Sequence, residues 1–416
     1  MSLSKLSVLA SHPIQYQVPI WRAIADSGVD LEVFFLDDQG ISKRVDTGFG
    51  ESFAWDIDLL GGYRSQFVKV REPRDRDRFR GIQLIEDFGS RFPKGVDHYF
   101  WVEGWRFLAN WQAIARAQRA GATILMRGDS HGMLHRPWYK RLARALFLKP
   151  LLGKVDYFLC VGSANTRYYR DLGVPERKCV SAPHCVDNDR FHAEAMRWRA
   201  SRDALRERWR IAPDAKVVLF CGKLQGIKNP EQISAACQRI HPRFPKLHVL
   251  YVGTGSLEGS LRRHHEVRFA WDGPHAPCET SDSRERQPLP ATFAGFLNQS
   301  EIAKAYAVSD VLALPSLSET WGLVVNEAMA SGLPVVVSDQ VGCAEDIPAR
   351  LDPRLVYRVN DIQGFADALG FALEHSWDES QIANLIDRFH VRHVVAAIAK
   401  IMARTAPLLV AEVSTS

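Results

Sequence analysis

The chain has 416 residues, of which 46% are hydrophobic and 24% charged, and its formal net charge is +5. That length exceeds one ordinary core and fits two domains of roughly 200 residues each. No apolar run reaches the roughly 18 residues needed to span a bilayer, and the mild positive balance suits phosphate groups or an anionic membrane surface rather than nucleic acid, for which the interleaved aromatics are missing. Met1 to Ala10 runs straight into a strand without a signal-peptide shape. None of the seven cysteines forms a Cys-x-x-Cys pair. Buried, reduced thiols and a cytoplasmic location are the expectation.

Leu6 to Ala10 reads as the first strand, followed by the loop Ser11–Pro19 and an amphipathic helix through Ala25. A strand–turn–helix opening is where a Rossmann-like domain presents its first ligand loop. His12 and Gln15 in that loop are acceptor-side candidates, with His12 either reaching a substrate or capping the helix. Leu31 to Leu36 is a second strand, and Arg64 to Gly81 is a polar, basic stretch. Its Asp75-x-Asp77 reads as a solvated charge run, because no apolar strand precedes it. Asp97 to Val102 is a strand ending at Glu103-Gly104-Trp105, and a helix follows to Ala120. Thr123 to Met126 ends in Arg127-Gly128-Asp129-Ser130-His131, a polar cluster at a strand end and so a site candidate.

His135 to Lys154 carries six lysines and arginines among Trp138, Leu142, Leu146, Phe147 and Leu151. It predicts a basic amphipathic helix, either covering the sheet or lying on anionic lipid. Tyr157 to Val161 is another strand, with Ser163 able to cap the next helix. Asp187-x-Asp189 reads as turn chemistry. A charged helix from Ala195 to Arg210 forms the linker.

Val217 to Cys221 opens the second half. Gly222 lets backbone approach a ligand, and Lys223 and Lys228 flank the loop as a diphosphate clamp. His248 to Val252 leads into Gly253-Thr-Gly255, and Glu266 to Pro290 reads as an irregular insertion. Thr292 to Gly295 precedes Phe296 and Leu297. Val311 to Leu314 is a buried strand, Pro315 to Thr320 a polar loop, and Trp321 to Ser331 a helix with Gly322 in its first turn. Gly332 and Pro334 end that helix before the strand Val335–Val337. In such a unit ligands sit at strand C-termini and helix N-termini, where the amides of Gly322 and Leu323 are available. Glu319 and Glu327 lie eight residues apart around Thr320 and Trp321, a spacing suited to holding two ends of one extended anionic ligand. Leu355 to Val359 is a late strand; helices are predicted at 362–374, 380–389 and 390–404.

The stretch Val311–Ile347, with Gly342 and Glu345 continuing it, resembles the donor-site signature of retaining glycosyltransferases of family 4, the glycogen-synthase-like sugar-nucleotide transferases. The resemblance covers residues 200–400 well and 1–190 loosely. It implies the GT-B fold: two Rossmann-like α/β domains facing across a cleft, with the last helix crossing back. The expected boundaries are an acceptor domain at 1–190, a linker at 191–212, a nucleotide-sugar domain at 213–388 and a returning helix at 389–416.

Within that resemblance, Lys223 and Lys228 neutralise the leaving diphosphate without a metal or other cofactor, and Lys223 stands where most members carry arginine. Glu319 orients the donor sugar and Glu327 accepts from the ribose hydroxyls. Gly222, Gly253, Phe296, Leu297, Thr320, Trp321, Gly322 and Leu323 complete the donor site, Phe296 and Leu297 beside the base. Many members carry a glycine pair at the first loop and a His-Gly at a strand end of the acceptor half. Here the loop has no glycine and Arg127-Gly128 takes the second place; Arg127 can bind phosphate or carboxylate but cannot shuttle a proton, so Asp129 or His131 supplies what that histidine does. The expected activity is retaining hexosyl transfer to a glycan or lipid-linked acceptor in envelope polysaccharide synthesis, at the inner face of a membrane. Rivals are a sugar-nucleotide epimerase, a phosphorylase, and a catalytically silent sugar-nucleotide-binding subunit.

Overall fold

The computed structural model describes residues 4–46, 51–71, 78–92, 95–133, 137–271 and 288–405. Asp75-x-Asp77, His135 and Arg136, the middle of the predicted insertion with Cys278, and the chain beyond 405 lie outside the described residues.

Two parallel seven-stranded sheets account for the architecture. The first comprises β1 (Ser4–Ala10), β2 (Asp30–Phe35), β3 (Arg64–Phe67), β4 (Asp97–Glu103), β5 (Thr123–Gly128), β6 (Tyr157–Cys160) and β7 (Cys179–Ser181). Their order is β3-β2-β1-β4-β5-β6-β7. The second comprises β8 (Lys216–Cys221), β9 (Leu247–Val252), β10 (His265–Ala270), β11 (Leu289–Phe293), β12 (Val311–Leu314), β13 (Val335–Ser338) and β14 (Val356–Tyr357). Their order is β10-β11-β9-β8-β12-β13-β14. Strands covered by helices on both faces read as continuous apolar runs rather than alternating ones. Accordingly β9, β12 and β13 are buried at every position, and Leu312–Leu314 pairs in register with Val335–Val337.

Each sheet has a core on both faces. In the first domain Leu6, Val8, Trp21 and Trp101 fill one face, and Phe34, Phe100, Ile124 and Phe158 fill the other. The last helix, Val391–Thr405, lies on the first domain: Val394, Ala397, Ile398 and Ile401 join the Leu6–Trp101 face, and the Tyr99 hydroxyl donates to the Met402 carbonyl at 3.0 Å. The predicted crossing back is therefore present.

Three expectations need correction. The polar stretch after Arg64 begins as edge strand β3, paired with β2 through backbone bonds that its side chains do not advertise. Part of the predicted insertion is strand as well, since His265–Ala270 pairs with Leu289–Phe293. The linker is two helices, Asn188–Arg199 and Arg202–Arg208, and Phe191, Leu205 and Trp209 are buried in the second domain's core. Asp187 caps the first of these helices, accepting from the Arg190 amide at 3.1 Å, so the expected turn chemistry holds there.

Candidate active site

Where the strand order of a parallel sheet reverses, neighbouring loops diverge and leave a crevice at the strand C-termini. The reversal falls between β1 and β4 in the first domain and between β8 and β12 in the second. The predicted site residues cluster at these two places.

In the second domain, loops are stitched together by backbone bonds. The Gly222 amide donates to Val252 O at 2.9 Å, Leu224 N to Thr254 O at 2.9 Å, and Leu317 N to Ile227 O at 2.9 Å. Gly222 and Gly253 thus sit side by side at the ends of β8 and β9. Lys223 is half-buried beside them. Lys228 and Glu319, expected to act on different parts of a ligand, form an ion pair with each other across the reversal. The Glu319 backbone is held from behind, its amide on Gln340 O and its carbonyl on the Gly342 amide. Thr320 is exposed. Gly322 has φ +99°, and a Cβ there would stand 2.9 Å from Val341 Cγ1, so only glycine makes this turn. Helix Leu323–Ala330 starts at once. Its first amides lack intrahelical partners and its N-terminus carries partial positive charge.

Glu327, one turn into that helix, accepts from the Tyr306 hydroxyl at 2.6 Å. Burial pushes its carboxyl up to about 7, against the opposing pull of Tyr306 and Arg190.

Two donor-site expectations change. The Trp321 side chain is 3% exposed, with its indole nitrogen donating to Asn326 Oδ1 at 2.8 Å and its ring against His184 and Phe389. It belongs to the seam between the domains, not to a ligand surface. The Phe296 ring packs on Phe53 of the first domain, with centroids 4.5 Å apart, and lies near Trp55. Leu297 beside it is half-buried against the second-domain core.

In the first domain, His12 Nδ1 lies 2.9 Å from Ser11 Oγ, and burial lowers its pKa against the opposing charge of Asp37. Helix Val18–Asp26 has no side-chain cap, so His12 does not cap it. Gln15 lines a small crevice with Arg22, Asp187 and Arg190. Arg127 is the clearest departure. Its side chain is 0% exposed and donates to Gln17 Oε1 at 2.8 Å and Pro183 O at 3.0 Å. It braces the floor of the cleft and has no surface to offer a substrate. Asp129 remains half-buried at the strand end. His131 accepts from the Met133 amide at 3.2 Å; burial lowers its pKa, with Asp129 and the nearby Glu319 opposing.

Several residues at this site escaped sequence reasoning. Glu103 lies at the end of β4, paired in register with Arg127, with its Oε1 3.9 Å from Arg127 Nη1. Burial raises its carboxyl to about 7. Its position after an apolar strand was the available signal. Asp346 accepts from the Ser163 amide at 2.8 Å and the Ser163 hydroxyl at 2.5 Å, so the second domain supplies the cap expected of Ser163 itself. That contact joins residues 183 apart and had no local signature. Among the described residues no three His, Cys, Asp or Glu side chains converge as a metal site would require.

Comparison with known proteins agrees with this layout. Residues 201–386 match the sequence profile described as glycosyl transferases group 1. A D-inositol 3-phosphate glycosyltransferase from Nocardia farcinica is 32% identical over 285 residues, 67% of this chain and 58% of that protein. A sulfoquinovosyl transferase from Arabidopsis thaliana is 30% identical over 161 residues, 39% of this chain and 25% of that protein. The chain therefore spans less than two thirds of the length of these curated relatives. Among solved structures, an α,α-trehalose 6-phosphate synthase from Burkholderia multivorans superposes with a TM-score of 0.66 at 16% identity, covering 97% of each chain. Sucrose-phosphate synthase from Thermosynechococcus elongatus gives 0.62 at 17%, covering 96% of this chain and 98% of its own. Anabaena HepE, solved with UDP and glucose, gives 0.59 at 13%, covering 96% and 99%. The chain thus has the two-domain GT-B architecture, and its residues 201–386 are a glycosyl transferases group 1 domain.

Proposed function

We propose that this protein transfers a sugar, with retention, from a nucleoside-diphosphate sugar to a glycan or lipid-linked acceptor of the cell envelope, using no metal. The observation that carries the reading is the Lys228–Glu319 pair at the second domain's reversal point, beside the N-terminus of helix Leu323–Ala330. An incoming diphosphate competes with Glu319 for Lys228. Lys223, Lys228 and the helix amides then take up the charge that develops as the diphosphate leaves. Released from its partner, Glu319 is free to accept from hydroxyls of the donor sugar. Glu327 accepts from ribose hydroxyls with the oxygen that Tyr306 does not hold. The similar D-inositol 3-phosphate glycosyltransferase and sulfoquinovosyl transferase, and the UDP-bound structural neighbour, support a sugar nucleotide as donor.

On the acceptor side, helix Trp138–Leu152 exposes Trp138, Tyr139, Leu142 and Leu146 together with Lys140, Arg141 and Lys149. That combination supports peripheral contact with an anionic membrane and a lipid-linked acceptor. No helix of the described residues is long and apolar enough to cross a membrane.

The test is thermal unfolding with UDP, GDP and ADP, followed by nucleotide release from the matching donor with and without chelator. A nucleotide that binds only the folded state raises the unfolding temperature. Lys228→Ala and Lys223→Ala are expected to lower turnover about 100-fold, the scale of losing one charge-stabilising donor. Full activity in both variants, or an absolute requirement for a divalent cation, sinks the metal-free clamp.

A further inference from the structure

A second crevice opens along the seam between the domains. Its volume of about 440 Å³ lies within the range of small-molecule sites. The first domain contributes Arg167 and Arg170 from helix Ser163–Asp171, and Ser181 from β7. The second contributes Glu345, Asp346 and Arg350, the last within the short helix Pro348–Leu351, and Arg388 directly after helix Glu379–Asp387. Lys223, Lys228, Glu319 and Glu327 do not line it. One wall is nevertheless shared with the donor loop, because Trp321, next to Gly322, lies on Gly162 and against Phe389.

Four guanidiniums face two carboxylates here, a formal excess of two positive charges. Both acids are already engaged. Glu345 pairs with Arg167 at 2.7 Å, and Asp346 accepts from the Ser163 amide and hydroxyl. Arg170, Arg350 and Arg388 have no ion-pair partner among the described residues. They come from three separate stretches of chain, and only the meeting of the domains gathers them. Like charges brought together repel, and a bound anion relieves the repulsion. Guanidinium forks match phosphate oxygens in pairs, which an ammonium does not. A phosphate monoester offers three acceptor oxygens and a charge of about −2, equal and opposite to the excess. The Ser181 hydroxyl is exposed at the same place and adds a donor.

We propose that this crevice binds a small phosphate-bearing anion, inorganic phosphate or a phosphate monoester, which bridges the arginines of the two domains and fastens the seam. The site goes beyond the transferase reading and shares none of its ligand-binding side chains, so either can fail without the other.

The experiment titrates the full chain with inorganic phosphate and with glucose 6-phosphate, by calorimetry and by thermal unfolding. Sodium chloride holds the ionic strength constant, so that general screening does not pass for binding. Saturable binding and a raised unfolding temperature are expected. Tighter binding of the ester identifies the ester as the ligand class, and equal binding assigns the phosphate group alone. Arg170→Gln in the first domain, and Arg350→Gln with Arg388→Gln in the second, are each expected to weaken binding about tenfold or more, the scale of losing one charge-assisted hydrogen bond. These side chains are exposed, so the variants are expected to fold. Arg208→Gln with Arg263→Gln, exposed arginines outside the crevice, is expected to keep the affinity. Absence of saturable binding overturns the proposal. So does binding lost in Lys228→Ala and kept in the arginine variants, which moves the anion to the donor loop. If the arginines of only one domain matter, the bridge fails.

Discussion

Glu327 shows what a single buried carboxyl does to the molecule as a whole. Burial lifts its pKa from the ordinary 4.5 to about 7, so the folded state holds the proton more tightly than the unfolded chain does. The stabilisation is fully present below about pH 4.5 and is lost as the pH rises through about 7. At pH 8 the cost of ionising it in place is at most about 3 kcal/mol, less to the extent that water reaches the side chain. Glu327→Gln is therefore expected to unfold at a higher temperature than the wild type at pH 8 and to lose that advantage by about pH 5. Parallel unfolding curves at both pH values would show that the carboxyl is solvated after all. The variant keeps an amide oxygen for Tyr306 but loses the second acceptor oxygen proposed for the ribose hydroxyls, so weaker nucleotide binding is expected with it.

At the scale of the element, helix Trp138–Leu152 carries an unusual load of exposed apolar area. Trp138 is 75% exposed, Leu146 61% and Leu142 52%. Leu148, Leu151 and Leu152 anchor the opposite face in the core. The sequence predicted the amphipathic pattern and counted Arg144 and Lys154 among its basic residues, facing either lipid or solvent. In the structure Arg144 stacks over Trp105 and Tyr168, and Lys154 Nζ donates to Gln118 Oε1 at 2.9 Å. Lys140, Arg141 and Lys149 are left to meet an anionic surface. The helix is expected to carry the protein onto vesicles containing about a third phosphatidylglycerol and not onto pure phosphatidylcholine, since each basic residue near such a surface contributes about 1 kcal/mol. The double variant Leu142→Asp, Leu146→Asp should remain folded, as both side chains are exposed, and should stay in the supernatant. Equal sedimentation of variant and wild type removes this helix from the membrane reading.

At the scale of the whole molecule, the two domains meet along a seam where side chains of both are in direct contact. Trp321 of the second domain lies directly on Gly162 of the first, where a Cβ would stand 2.2 Å from the ring and 2.7 Å from Asp346 Oδ2. Beside it Arg167 pairs with Glu345 at 2.7 Å. At the opposite edge Phe53 meets Phe296, Asn298 Nδ2 donates to Ala54 O at 2.8 Å, and Ser300 bonds Asp56. Gly162→Ala forces either the ring or the domains to move. It is expected to cost about 1–3 kcal/mol of stability by overpacking and to widen the cleft. Thermal unfolding and small-angle scattering read both effects; an unchanged melting temperature with an unchanged scattering curve would mean that the seam yields locally.

The chain's local chemistry by itself determined the two alternating α/β halves, the strand–loop–helix unit around Gly322 and the amphipathic last helix, while the return of that helix and the grouping of donor-side residues came from the family resemblance. The local features depend on contiguous apolar runs and on turn residues, which act within about ten positions of one another. Only the tertiary structure decided which charges meet. Lys228 and Glu319 are 91 positions apart and neutralise each other, and Asp346 caps a helix begun 183 positions earlier. Arg127 looked like a ligand contact because it ends a strand, but Gln17 and Pro183 close over it. Glu103, on the neighbouring strand, is left partly open with an unsatisfied oxygen. Burial and pairing follow from how the sheets twist and the domains close, and spacing along the chain carries no record of either.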